Sequence, residues 1–209
     1  MPGLDDWLDV ARSAETDDLR ERILTGYKSG KPFTPYVPTL ELPSRVDWLL
    51  DFGCGVGRNF PYLKTIARHV AGFDLPPMIE RCRTLATETV DLLSDDWTEI
   101  RARRFDVTFA ALVLQHIEPA AYRSYLVDFA KMAPVTYLLT RARDDFGTNV
   151  LDVVNETGLF EVRQCVSVEH DPRTHQLQVL GRVPFDMARR SSQTAHYEML
   201  LYSKDVRAQ

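Results

Sequence analysis

The sequence predicts an α/β fold with a mostly parallel sheet that ends in antiparallel strands. From Val46 to Thr140 short apolar runs alternate with segments of helical length and spacing, the pattern of βαβ units. After Gly158 three more apolar runs follow without long helices between them, as an antiparallel end to the sheet requires. With 209 residues and 44% hydrophobic content, the chain suits one domain with a sizeable core. We therefore expect a single domain over residues 1–209, with 1–40 as a helical and loop extension that could close over a site.

Within that extension Leu19 to Leu24 reads as amphipathic, and Gly26 to Pro38 reads as loop because Pro32, Pro35 and Pro38 fix φ and remove donors. Strands are expected at Val46 to Phe52, His69 to Asp74, Thr89 to Leu93, Phe105 to Leu112 and Val135 to Thr140. Helical spacing begins at Asn59, runs from Pro77 to Thr87, and recurs from Pro119 to Ala130, where proline opens the helix. The late strands are expected at Phe160 to Val168, Gln176 to Val183 and Tyr197 to Ser203. Gly181 to Ser192, with Pro184, reads as an irregular excursion.

A formal charge of −5 and a pI near 5.6 disfavour broad attraction to a phosphate backbone, so RNA as a partner is unsupported by composition. Cys54, Cys82 and Cys165 are widely spaced and odd in number, without a Cys/His cluster, and read as reduced thiols rather than a disulfide framework or metal site. The N-terminus lacks the basic-then-apolar order of a signal peptide. No apolar run approaches the roughly 18 residues of a spanning helix. The expectation is a cytoplasmic protein without a membrane partner.

The strongest local signal is Leu49-Leu50-Asp51-Phe52-Gly53-Cys54-Gly55-Val56-Gly57, an apolar strand running through an acid into three alternating glycines. Glycine admits positive φ and lets a ligand approach the backbone. A second acid, Asp74, ends the next expected strand and so falls at the same sheet edge, where a carboxylate can accept from both hydroxyls of a ribose. Phe60 stands where a third dinucleotide-motif glycine would fall, so a nicotinamide site fits less well.

Asp51 to Gly57 followed by Asp74 resembles motifs I and II of the class I S-adenosylmethionine-dependent methyltransferases. Asp95-Asp96-Trp97 resembles that family's acidic or polar position against the adenine, and Leu112-Val113-Leu114-Gln115-His116-Ile117 its fourth-strand segment. The resemblance spans about Val46 to Thr140. It implies a Rossmann-like three-layer sandwich of approximately seven strands, the last antiparallel, and S-adenosylmethionine as cofactor with S-adenosylhomocysteine as product.

By the same resemblance Gly53, Gly55 and Gly57 line the methionine and ribose portions, Asp51 helps to hold the amino group, and Asp74 holds the ribose. Cys54, Asn59, Leu75, Asp95, Asp96, Trp97, Leu114 and Gln115 complete the expected cofactor set. For each acid the plainer reading is a strand-end cap or turn residue. Cys54 has no companion base and reads as filler in the turn, and Asn59 as support for the loop.

Methyl transfer requires an acceptor lone pair aligned behind the methyl group, and proximity supplies much of the rate. His116 is the candidate base, with packing or cofactor lining as its alternative role. Tyr27 and Tyr36 could close over the site or anchor the extension to the core. Arg141, Arg143, Arg189 and Arg190 could pair with an anionic acceptor or lie solvated. The fourth-strand segment lacks the Asp/Asn-Pro-Pro-aromatic signature of amino-methylating DNA enzymes, and no Pro-Cys pair supplies a cytosine-C5 nucleophile. The expected acceptor is an O or N atom of a small molecule or peptide. The alternatives are an RNA methyltransferase and a non-catalytic S-adenosylmethionine-binding protein.

Overall fold

The computed structural model describes residues 36–86, 88–170, 177–190 and 195–204. The Leu19 to Leu24 stretch, Tyr27 and most of the proline-rich loop lie outside the described residues. The elements run β1 (Val46–Phe52), α1 (Phe60–Ile66), β2 (Ala67–Phe73), α2 (Pro76–Leu85), β3 (Leu92–Ser94), α3 (Trp97–Arg101) and β4 (Val107–Ala111). A 3-10 turn (Leu114–His116) leads to α4 (Pro119–Met132), β5 (Val135–Arg141), α5 (Val150–Thr157), β6 (Phe160–His170), β7 (Leu177–Arg182), α6 (Phe185–Ala188) and β8 (His196–Ser203).

The eight strands form one sheet in the order β3-β2-β1-β4-β5-β8-β6-β7. Strands β1 to β5 pair in parallel, whereas β8 runs antiparallel to both β5 and β6. The sheet therefore exceeds the expected seven strands by β7, which pairs antiparallel with the outer edge of β6. The third strand is displaced from Thr89–Leu93 to Leu92–Ser94 because Asp91 is engaged elsewhere: its carboxylate accepts from Val70 N at 3.0 Å and meets His69 Nδ1 at 3.0 Å. The Gly181 to Ser192 excursion contains the short helix α6.

Alternation along the strands divides the apolar residues between two faces. Leu50, Phe52, Ala71, Phe73, Ala110 and Leu138 pack against Ile100 of α3, Tyr122, Leu126 and Phe129 of α4, and Val150, Leu151, Val153 and Val154 of α5. Leu49, Val70, Val107, Phe109, Tyr137 and Leu139 pack against Phe60 and Leu63 of α1 and Ile79 and Cys82 of α2. Helix α5 has clear ends: Asn149 accepts from Leu151 N and Asp152 N, and Gly158 closes it at φ 67°. Among the described residues no helix is long and apolar enough to cross a membrane.

Leu40 and Leu42 cover the second face beside Tyr137 and Leu200, and a buried acid fixes them there. Glu198 of β8 accepts from Thr39 N at 3.0 Å, from Thr39 Oγ1, and from Tyr137 Oη at 3.0 Å. Burial pushes its carboxyl above the usual range, although these donors pull the other way. Removing the acceptor frees three donors: those of exposed Thr39 can turn to water, but the fully buried Tyr137 hydroxyl is left unpaired, at about 1 to 3 kcal/mol. Glu198→Ala should accordingly lower the urea midpoint by a loss of roughly 2 kcal/mol. An unchanged midpoint would contradict this account of how the 36–42 segment is held.

Candidate active site

Parallel pairing brings the carboxyl ends of β1, β2 and β4 together, with Phe52 opposite Phe73 on one side and Ala110 on the other. In a parallel α/β sheet the crevice forms at these ends, and a cavity of about 420 Å³ opens there. It is lined on one side by Gly53, Cys54, Gly55, Asp74 and Leu75, and on the other by Val113, Gln115, His116 and Ile117.

The glycine loop is tied to β2 by Gly53 N and Cys54 N, which donate to Phe73 O at 2.8 and 3.1 Å. Gly53 and Gly57 have φ of 73° and 80°, in the region that side chains disfavour. A Cβ on Gly53 would lie 2.4 Å from Val113 Cγ2, and one on Gly57 2.6 Å from Phe60 Cδ2. The protein's own packing therefore demands both glycines. Gly57 does not line the cavity; it closes the turn, donating from its N to Cys54 O at 3.0 Å.

Asp74 accepts from Gly55 N at 2.7 Å through Oδ2 and from Leu75 N at 2.7 Å through Oδ1. Desolvation raises its pKa to about 6 against the opposing pull of these two donors. Each oxygen keeps a further lone pair, so the carboxylate can still accept from a vicinal diol. Asp51, buried at the end of β1, has Oδ2 without a partner among the described residues. Burial, and then the neighbouring Asp74 charge, raise its pKa well above the usual value. Asp51 lies behind the residues that line the cavity, whereas the half-satisfied Asp74 carboxylate at the cavity suits a ligand that brings ribose hydroxyls.

Other expected residues stand elsewhere. Asn59 lines the cavity, but its Oδ1 accepts from Tyr36 N at 3.0 Å instead of capping α1. Tyr36, also at the cavity, carries the Arg58 guanidinium 4.0 Å over its ring. Asp95 and Asp96 are exposed, and Asp96 caps α3 by accepting from Thr98 N at 2.7 Å. Trp97 stands behind the cavity wall: its ring packs on Phe52, Phe73 and Tyr125, and its Nε1 donates to Asp128 at 2.9 Å. Leu114 is fully buried in the core. Sequence reasoning missed Met78, Ala121 and Tyr125 as lining residues. The only signal for them is their place in the first two turns of the helices after β2 and β4.

Leu112, at φ 59°, turns the chain out of β4 into the 3-10 turn that carries Gln115 and His116. His116 Nδ1 lies 2.7 Å from Asp145 Oδ2, and its Nε2 lies 3.2 Å from Gln115 Nε2. Gln115 Oε1 accepts from Arg141 N at 2.9 Å, and Arg141 pairs through its guanidinium with Asp145. Desolvation lowers the His116 pKa, partly offset by Asp145. Desolvation opposes ionisation of Asp145, but the bonds from Arg141 and His116 outweigh it and hold its pKa below the usual carboxylate value. Arg189 is likewise paired, with Asp152 at 2.6 Å and Asp186 at 3.4 Å, and Arg143 donates to Gly147 O at 3.2 Å.

Comparison with known proteins agrees with this architecture. Residues 50–133 match the family model of a methyltransferase domain. Among solved structures the chain resembles the N-methyltransferase NodS from Bradyrhizobium japonicum WM9 in complex with S-adenosyl-L-homocysteine, at TM-score 0.52 and 17% identity over 77% of this chain and 80% of that one. It also resembles magnesium protoporphyrin IX methyltransferase from Synechocystis PCC 6803 with bound S-adenosylmethionine, at TM-score 0.50 and 15% identity over 77% and 71%. A candidate RNA methyltransferase, PH1948 from Pyrococcus horikoshii, matches at TM-score 0.51 and 16% identity over 78% and 75%. No curated protein sequence matches the chain. The matched segment contains the glycine loop, Asp74 and His116, and the fold is that of the S-adenosylmethionine-dependent methyltransferases it resembles.

Proposed function

We propose that the chain is an S-adenosylmethionine-dependent methyltransferase acting on an oxygen or nitrogen atom of a small-molecule or peptide acceptor, with His116 as the base on the acceptor side. The observation that carries this reading is a single cavity containing both Asp74 with the glycine loop and the imidazole of His116. Asp74 would hold the ribose and Asp51, behind the lining, would draw the amino group; Gly53, Cys54, Gly55 and Leu75 would flank them, and Gln115 and Ile117 would separate this part from the acceptor. Bound S-adenosylmethionine supplies an electrophilic methyl group. The protein's contribution is to orient the acceptor, exclude water and take up the acceptor's proton at His116 Nε2. Met78, Leu112, Val113 and Ile117 make the lining largely apolar, which suits a compact organic acceptor better than a phosphate backbone.

Asp74 must be ionised to accept from two hydroxyls, and its pKa of about 6 makes binding depend on pH. Above pH 7 the carboxylate form dominates and affinity for S-adenosylhomocysteine should be flat. Below about 6 binding must first remove a proton, so affinity should fall by up to about tenfold per pH unit. Calorimetry of Asp74→Asn should show at least about tenfold weaker binding at pH 7.5, with the component centred near 6 lost. Equal affinity of both proteins would remove Asp74 from the site.

The acceptor class can be read by incubating the protein with methyl-labelled S-adenosylmethionine and separate pools of phenols, amines, peptides and total RNA. Label should enter the small-molecule or peptide pools. His116→Gln should slow that transfer by about 10² to 10⁴ while S-adenosylhomocysteine still binds. Label entering only RNA would overturn the acceptor assignment, and binding without transfer to any pool would overturn the enzymatic one.

A further inference from the structure

The side chains around His116 specify its protonation state from both ends of the ring. On one side Asp145 is held as a carboxylate by the Arg141 guanidinium, and its backbone N donates to Gln115 O at 2.9 Å. Asp145 is therefore fixed by main chain and side chain, and its Oδ2, an acceptor only, requires a proton on His116 Nδ1 at 2.7 Å. On the other side, Gln115 Oε1 is committed to Arg141 N at 2.9 Å, which turns the Nε2 amide NH2 toward the imidazole. An amide NH2 offers only protons, so His116 Nε2 must present its lone pair.

We infer that Asp145, Arg141 and Gln115 act together as positioning residues that hold His116 as the neutral Nδ1–H tautomer, with the Nε2 lone pair available to an O–H or N–H acceptor. The functional part of this inference rests on His116 being the acceptor-side base. In the transfer, a lone pair of the acceptor atom forms the bond to the methyl carbon while the carbon–sulfur bond breaks and its electron pair stays on sulfur. The acceptor's proton passes to His116 Nε2, displacing the Gln115 amide contact, and the imidazolium formed is stabilised by the Asp145 carboxylate. The arrangement has no use for an acceptor that carries no proton to lose. The same contact disfavours a proton on Nε2 at rest, because it would face the protons of the Gln115 amide NH2. Desolvation and the Arg141 charge act in the same direction.

The test is nitrogen-15 NMR of the five histidines, with His116 assigned by its disappearance in His116→Gln. At pH 7.5 the wild type should show a protonated Nδ1 and an unprotonated Nε2. Asp145→Asn should move the proton to Nε2 and lower the titration of His116. Gln115→Glu should raise that titration by about 1 to 3 pH units, because a carboxylate then faces Nε2. Asp145→Glu should restore the wild-type tautomer, which separates positioning from mere loop stability. A wild-type ring protonated on Nε2, or one unmoved by Asp145→Asn and Gln115→Glu, would overturn the inference. S-adenosylhomocysteine binding measured on the same samples tests the cofactor site separately: the predicted tautomer in a protein that fails to bind would sink the proposed function and leave the positioning geometry standing.

Discussion

The site depends on one carboxylate. Asp74 ends β2 and accepts from Gly55 N in the loop after β1 and from Leu75 N at the start of α2, both at 2.7 Å. Those bonds set the distance between two parallel strand ends and hold the glycine loop in the left-handed conformations at which it turns. Val113 and Phe60 pack closely against Gly53 and Gly57, so the protein's own packing shapes the loop before anything binds. Such preorganisation avoids the ordering cost that a flexible loop would incur on binding.

A second layer of positioning comes from far along the chain. Glu198 lies 159 residues from Thr39, and it carries the 36–42 segment across the sheet. The same segment presents Tyr36 to the cavity, where Asn59 receives its backbone N and Arg58 covers its ring. A buried acid on the last strand thus shapes a wall of the site formed near the beginning of the chain. An unpaired buried carboxylate would be costly, so this arrangement requires all of its donors together.

The features legible in the sequence were those encoded locally. The β1 strand, the glycine alternation and Asp74 are read from consecutive residues, and strand–loop chemistry admits few alternatives to their arrangement. Trp97 was read as a cofactor residue because it follows β3. Its ring instead fills the space behind Phe52 and Phe73, and that depends on Tyr125 and Asp128 of a helix it does not adjoin in sequence. Asp145 was invisible for a similar reason: it meets His116 across 29 residues, through a loop with no motif of its own. Arg141 read as a potential anion clamp, and only the fold reveals Asp145 as its partner. Strand β7 was expected as an element, but its place on the outer edge of β6 is a long-range choice that alternation does not encode.

The central claim is that Asp74 and the glycine loop form the nucleoside end of a cavity whose other end is His116. A crystal structure of the complex with S-adenosylhomocysteine tests it most directly. The account predicts both ribose hydroxyls within hydrogen-bond distance of the Asp74 carboxylate, the amino group close to Asp51, and the sulfur on the path toward His116. A nucleoside bound elsewhere, or bound here with its ribose away from Asp74, would contradict it.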